Sequence, residues 1–593
     1  MAWVLAAGRP AGRSDRKPYA VLDIETDGLR GPLLYWTATC ECSDVVMTGT
    51  TARALWDHVL RHDSREHANR DHIWWAHNGG EYDYVYLFDS AKAEAARREA
   101  VVSPVMRASS MIGFRVTKGH HRTDLRDSYA LLPASLRSLA EQLAPDLPKL
   151  DIGLADGVTF DPADPVHRAY AERDVRALLA VLLRFRTILS ERFGGTLPSW
   201  SAASTALRAW QQTLPEGVSY RPGHANADSL ARAGYYGGMV HLGSVAKHRD
   251  VATVDVNSMY PSVMRDGGVP AGWARPVRSF DPLRPGFYIV HADVPADCPF
   301  TFIPYRDPAG ALAWPTGRFD TVISSIEARA AMARGIGIEV VRGVVWERLD
   351  FPFGEYVDRI EALRSEGGAL AVVGKLLGNG LYGKFGAKPT HDEWTISADP
   401  PGPGWWPASP DPEDRSLDGL WTRAGVPIRA PYLLPHWAAW ITAGARLRLL
   451  AYAEAIGAAD VIYTDTDSLT APREAIEAAS AAGRLPVGRR FGEVKIEATW
   501  HAYQVVSAKV YHGVTTTGRR VRKAKGIPAR LRPAAFGGAV VGWTSPNAAL
   551  QVLRGADMTS ERTRRLSDVR NSLAWRVGPG GRVRPVHLDD LPT

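Results

Sequence analysis

Cysteine is nearly absent: Cys40, Cys42 and Cys298 are the only three in a chain of 593 residues. No disulfide framework and no structural zinc site can be built from them. The sequence therefore predicts a protein of a reducing compartment. Long apolar runs are missing too, and no stretch approaches the roughly 20 residues that a membrane-spanning helix needs. The opening MAWVLAAGRP is apolar before it is basic, the reverse of a secretory signal. No internal repeat is visible. Excess charge is modest, at +7 near neutral pH, which allows a polyanionic partner without requiring one. These absences argue against a disulfide-stapled secreted module, an integral membrane protein and a solenoid. They favour a cytoplasmic protein with no membrane partner.

What is present suits a folded protein, with 45% hydrophobic and 23% charged residues. The length exceeds one core, so at least two domains are expected. Residues 1–18 read as a flexible leader. Strand-like and helix-like runs then alternate to about residue 190, where VRALLAVLLRFRTIL predicts a long closing helix (Val175 to Leu189). A second α/β region begins near Leu197. Inside it, the proline-rich stretch from Ala398 to Ser416 excludes a helix or a central strand. Its flanks, EWTI (Glu393 to Ile396) and LWTR (Leu420 to Arg423), are placed to pair as a hairpin with a long tip.

Two sets of acidic residues carry chemistry. In AVLDIETDG, Asp23 and Glu25 end an apolar strand two positions apart, hence on one face. Same-side carboxylates repel and call for a cation between them. WWAHNGGEYD adds Asn78, Tyr82 and Asp83, and YAERDVRALL sets Tyr170 and Asp174 four apart on one helix face. The second set begins with TVDVNSMYPSVM, where a strand ends at Asp255 and is followed by Ser258 and Tyr260. In GKLLGNGLYGKFG, Lys375, Asn379 and Tyr382 share a helix face, and Gly383 reads as the helix end. That mixture of cation, amide and ring suits a triphosphate and a base better than a core. VIYTDTDSLT then supplies Asp465 and Asp467 at a hairpin; if extended, the two would point to one side.

The first set resembles the three exonuclease motifs of proofreading polymerases of the DnaQ-like type. DVNSMYP, KLLGNGLYG and YTDTDS resemble motifs A, B and C of family B DNA polymerases. GYYGGMV, with Tyr235, Tyr236, Gly237 and Gly238, resembles the YxGG linker motif, and Lys509-Val510-Tyr511 resembles the KxY motif. The motifs agree in order over residues 20–512, and the linker points to the protein-primed branch of phages, linear plasmids and organelles.

That resemblance implies an α/β and α+β multidomain fold: an RNase H-like exonuclease domain followed by a right-hand polymerase domain with two insertions. Its expected divisions are 1–190 exonuclease, 191–264 first palm part, 265–353 first insertion, 354–388 fingers, 389–431 second insertion, 432–535 second palm part and 536–593 thumb. It implies a DNA-directed DNA polymerase with 3′–5′ proofreading, using two Mg2+ or Mn2+ ions per active site. Asp255 and Asp467 would hold the palm metals with Asp465 in support. Asp23, Glu25, Asp83 and Asp174 would hold the exonuclease metals, with Tyr170 positioning the water. Tyr260, Lys375, Asn379, Tyr382, Ser258 and Arg364 would contact the nucleotide, Tyr260 as the gate against a 2′-hydroxyl. Asn78, Tyr82, Ser135, Leu136, Lys149, Tyr235, Gly237, Gly238, Lys509 and Tyr511 would contact DNA.

The implied partners are primed template, single-stranded DNA and deoxynucleotides, with the chain a monomer in a bacterial host, at the nucleoid during replication. Initiation stays open between a terminal protein's hydroxyl and an ordinary primer. The pattern departs at Gly380, where relatives carry Ser, which puts nucleotide affinity in doubt. Arg446 in ITAGAR reads equally as a palm-side contact or a structural residue. The alternative reading is an exonuclease whose polymerase half serves only as a DNA-binding scaffold.

Overall fold

The computed structural model describes residues 5–6, 17–27, 31–60, 72–107, 110–153, 158–307, 310–389, 393–396, 402–407, 420–423, 430–546, 559–569 and 575–588. The N-terminal unit is built on strands β1 (Tyr19–Thr26), β2 (Leu33–Cys40), β3 (Ser43–Gly49), β4 (Ile73–Ala76), β5 (Val101–Arg107), β6 (Ser110–Lys118) and β7 (His121–Asp127). They form one sheet in the order β3-β2-β1-β4-β7-β6-β5. Strands β1, β4 and β7 run parallel, and the remaining pairs are antiparallel.

Strand β1 alternates between two cores. Tyr19 and Val21 join one, while Ala20, Leu22 and Ile24 join the other. A strand buried on both faces needs an apolar run, which is what precedes Asp23. Helix α1 (Asp83–Arg97) covers one face through Tyr84, Leu87 and Phe88. Helix α2 (Pro165–Arg192) covers the other through Val175, Leu178, Val181, Leu182 and Phe185. Asp164 caps α2, with Pro165 at its first position, where a missing N–H costs nothing.

The second region is organised by strands β8 (Val240–Leu242), β9 (Val251–Val256), β10 (Tyr463–Asp465), β11 (Ser468–Pro472), β12 (Val494–Ser507), β13 (Val510–Thr515) and β14 (Arg520–Ala524). Their order is β8-β10-β11-β9-β12-β13-β14. Strand β9 is thus central, and Asp255 stands opposite Ser468 on one side and Lys495 on the other. Helices α3 (Gly354–Glu366) and α4 (Gly368–Phe385) pack together across a sharp turn at Gly367 (φ 81°) and Gly368 (φ 49°), conformations that favour glycine. Helix α4 runs through Gly383 to Phe385, two residues beyond the end that the sequence suggested.

Two insertions stand out. The strands Val269–Val277, Gly337–Asp350, Gly286–Val294 and Gly317–Ser324 form a four-stranded antiparallel sheet in that order. Glu393–Ile396 pairs antiparallel with Leu420–Arg423, from Glu393 opposite Arg423 to Ile396 opposite Leu420. Trp406–Pro407 adds to the outer side of Leu420–Arg423, an edge position where proline is tolerated. Leu5–Ala6 pairs with Ser219–Tyr220, so at that point the N-terminal segment is a strand rather than a free leader. The remainder of residues 1–16 lies outside the described residues.

Helix α5 (Pro435–Ile456) threads the core and carries Arg446, only 1% exposed. Its guanidinium meets Glu327 at 2.6 Å and donates to the carbonyls of Tyr236 and Gly237, each at 3.0 Å. Glu327 also closes the capping box of the Ser325–Met332 helix with Ser324. One buried ion pair therefore joins the first insertion, the linker and α5, and Arg446 takes the structural reading. Removing one partner strands a buried charge. Arg446→Met and Glu327→Leu should each lower stability by about 3–5 kcal/mol. In chemical denaturation, the double variant should lose less than the two single losses combined.

Candidate active sites

In the N-terminal unit, β1 presents Asp23 and Glu25, both half-buried. The chain leaves β4 through Asn78, whose φ of 60° places it in the left-handed region that asparagine tolerates. That turn delivers Asp83 to the first position of α1, where it is buried. Helix α2 brings Tyr170 and Asp174 to the same place, also buried.

The carboxyls crowd one another. Burial, with Asp174 nearby, pushes Asp23 up to about 7, against the pull of Lys149. Burial, with Asp23 and Asp174 close, pushes Glu25 up to about 9. Burial beside Asp23 holds Asp83 well above the usual carboxylate range, and burial likewise raises Asp174. Tyr170 is pushed up to about 12, first by burial and then by the Asp174 charge.

Lys149 has a larger role than a surface phosphate contact: its ammonium pairs with Asp174 and lies 4.8 Å from the centre of the Tyr170 ring. Burial lowers its pKa, but Asp174 and Tyr170 more than reverse that. Tyr82 shares a hydrogen bond with Thr26, at the end of β1. Two predicted DNA contacts carry structural duties. Ser135 accepts from the Ser138 N–H as the cap of the Leu136–Leu143 helix, and the Leu136 side chain is buried in the core.

The palm-like site lies where β9, β10 and β11 meet. Asp465 and Asp467 do not sit on one extended face, as the sequence suggested. Asp465 pairs with Ser468 across a two-residue turn, and Thr466 at its apex has φ 67°. A β-branched residue in that region is strained. The Thr466 N–H donates to Met239 O at 2.8 Å.

The turn gives the two aspartates different partners. The Lys509 ammonium pairs with Asp465. Asp467 is pushed up to about 6 by burial, with Asp255 and then Asp465 adding to it. Lys495 binds Asp255 at 2.7 Å. Lys509 is itself a left-handed turn residue (φ 62°), and its N–H donates to the Tyr463 hydroxyl at 2.8 Å. Tyr511 sits 6.2 Å from Tyr463, ring centre to ring centre.

The nucleotide-facing residues also converge. Tyr260 and Tyr382 stack at 4.2 Å with an interplanar angle of 17°. Arg364 donates to Ser258, whose φ of 48° swings the chain from β9 into the Met259–Gly267 helix. Lys375 and Asn379 are exposed on α4.

Gly380 does not act on this face. A Cβ there would lie 3.3 Å from the Ala202 carbonyl, so its bareness lets α4 approach the Ala202–Gln211 helix. Tyr235 packs on Gly386, where a Cβ would come within 2.5 Å of its ring. Gly238 is bare because Thr466 fills its space, with a Cβ only 2.6 Å from the threonine methyl. Gly237 faces open space. The close approach at Gly238 is thus made by the Asp465–Asp467 turn.

Three residues escaped the sequence reading. Lys495 sits in an ordinary alternating strand, and only the register puts it opposite Asp255. Thr26 continues β1 without a motif of its own. Asp127, pushed up to about 6 by burial, caps the Ser128–Leu131 helix next to Asp83. Its signal, aspartate before Ser-Tyr at a strand end, was readable as a cap.

The donor chemistry of both sites fits divalent cations. Asp83 Oδ1 and Asp174 Oδ1 are buried without a hydrogen-bond partner, and burial, with mutual repulsion adding to it, raises Asp23, Glu25 and Asp467 above the usual carboxylate range. Carboxyls raised in the folded state stabilise it fully below about pH 4, and that contribution is lost as pH rises through about 7 and 9. In chelator, Glu25→Gln should therefore melt above the parent protein at pH 8, with the gap closing toward pH 4.

A family model described as DNA polymerase type B, organellar and viral, matches residues 165–400. A probable DNA polymerase of Neurospora intermedia is 27% identical over 256 residues, which are 39% of this chain and 26% of that one. A DNA polymerase of Kluyveromyces lactis is 21% identical, covering 76% of this chain and 52% of that one. The DNA-directed DNA polymerase of Enterobacteria phage PRD1 is 27% identical over 33% of this chain and 30% of its own. The chain thus spans between about a quarter and a half of these relatives. Among solved structures, Phi29 DNA polymerase with primer-template DNA and incoming nucleotide has the same fold, with a TM-score of 0.71 at 15% identity over 93% of this chain and 100% of that one. Its complex with single-stranded DNA gives 0.68 at 16% identity, over 90% and 96%. The fold is accordingly an RNase H-like unit followed by a right-hand polymerase fold with two insertions, and the chain is similar to DNA polymerases of type B, organellar and viral.

Proposed function

We propose that the chain is a DNA-dependent DNA polymerase that extends a 3′-hydroxyl with deoxynucleotides and proofreads in its N-terminal unit. The observation that carries this reading is the meeting of Asp255 and Asp467 across β9 and the β10–β11 turn, close enough for Asp255 to raise Asp467. Asp255 and Asp467 would hold divalent cations in the palm, and Asp23, Glu25, Asp83 and Asp174 would hold them in the exonuclease unit. When bound, such cations supply an activated oxygen nucleophile and neutralise charge on the leaving oxygen.

The protein's own residues do the remaining work. Lys495 and Lys509 orient Asp255 and Asp465 and limit their repulsion. Arg364, anchored on Ser258, and exposed Lys375 offer positive charge to a triphosphate. The Tyr260–Tyr382 stack forms a flat, rigid floor for the sugar and base, and a 2′-hydroxyl would meet it sterically. In the other site Tyr170 orients water, while Tyr82 and Asn78 receive the frayed strand by stacking and hydrogen bonding.

The cytoplasm of a bacterial host is the compartment this reading favours, on a phage, plasmid or other mobile replicon. Strand displacement is part of the proposal. The Glu393–Ile396 strand lies against β5 of the N-terminal unit.

Asp467→Ala should abolish primer extension in magnesium and leave single-strand degradation nearly intact, and Asp23→Ala should do the reverse. Wild-type extension by the Asp467 variant would sink the palm assignment. Tyr260→Val should admit ribonucleotides, read as incorporation of rNTP against dNTP on one template. On a primed circle, product longer than the circle would report strand displacement.

A further inference from the structure

Cys40, Cys42 and His72 come together at the edge of the N-terminal unit, far apart in sequence and outside both carboxylate sites. Among the described residues they are the one group of three such donors whose ligand atoms all lie within 4.8 Å of one another. Cys40 ends β2, and Cys42 occupies the turn into β3. His72 directly precedes β4. The Cys42 Sγ to His72 Nε2 distance is 3.4 Å. Around zinc, arms of about 2.3 Å to sulfur and 2.0 Å to nitrogen put tetrahedral neighbours about 3.5 Å apart. Glu41, between the cysteines, is turned elsewhere. Its carboxylate takes Arg186 at 2.5 and 3.1 Å and the Tyr19 N–H at 3.1 Å, which leaves two sulfurs and an imidazole as the donor set.

We propose that Cys40, Cys42 and His72 bind a thiophilic divalent cation, Zn2+ in the first instance, with a fourth position open to solvent beside exposed Cys42. Two soft thiolates and an imidazole select Zn2+ over Mg2+, which prefers oxygen, so this site and the carboxylate sites would not compete for one ion.

Its place in the sheet defines its role. Strand β1 lies between β2 and β4. Cys40 stands opposite Ala20, and Ile73, next to His72, stands opposite Tyr19. The cation would clamp the two neighbours of β1 across its beginning. Glu25 lies five residues further on, roughly 17 Å along an extended strand. The ion would therefore brace the strand that carries Asp23 and Glu25 without touching the chemistry.

The test is Co2+ titration of the metal-stripped full-length chain under a phosphine reductant. One equivalent should give a thiolate-to-cobalt charge-transfer absorption in the near ultraviolet. Carboxylate-bound Co2+ gives no such band. Zn2+ should abolish the band and excess Mg2+ should not. Cys42→Ser and His72→Ala should each lose it, and Cys298→Ser should keep it. Cys42 is an exposed turn residue, so its variant should retain the parent's circular dichroism, and with the carboxylate sites filled by excess Mg2+, one equivalent of Zn2+ should raise the melting temperature of the parent more than that of Cys42→Ser. No band in the parent, or a band that survives both Cys42→Ser and His72→Ala, would overturn the site and leave the Cys42–His72 contact an ordinary hydrogen bond. Either result is independent of whether the chain extends a primer.

Discussion

Repulsion between buried carboxylates is the constraint around which this molecule is arranged. Each candidate site gathers acids that would separate if left alone, and each meets the cost with lysines from another segment. Lys149 comes from a loop to Asp174, Lys495 from a neighbouring strand to Asp255, and Lys509 from a turn to Asp465. The compensation is partial. Asp23, Glu25 and Asp467 stay well above the ordinary carboxylate range, which keeps both sites receptive to a cation.

Backbone conformation serves the same end. Six non-glycine residues among those described have positive φ, and four of them, Asn78, Ser258, Thr466 and Lys509, lie in the two sites. Each turns the chain within five residues of a site carboxylate or is itself its counter-charge. Strain of this kind persists only where the surroundings over-determine it. Here the surroundings are the central strands of two sheets and a core stitched by the Arg446–Glu327 pair.

Much of this was legible in the sequence. The apolar strand before Asp23, the helix carrying Tyr170 and Asp174, and the Glu393–Ile396 and Leu420–Arg423 pair could be read from local pattern, because period and proline placement act over a few residues. Register could not be read. Lys495 meets Asp255 only because β9 and β12 pair in one particular alignment. Turn geometry misled for the same reason, since Asp-Thr-Asp is compatible with an extended strand until Thr466 is seen at φ 67°. Cysteine counting missed the Cys40–Cys42–His72 cluster because its third donor lies about thirty residues away and joins through a parallel strand pairing.

The contact between Gly238 and Thr466 binds two motifs into one unit. The linker glycine has no room for a methyl because the threonine of the Asp-Thr-Asp turn occupies it. Substitutions at the two positions are therefore not independent. A chain that carries a larger residue at 238 must carry a smaller one at 466, and relatives should show the two columns varying together. Transplanting the turn into another scaffold would require the linker to travel with it.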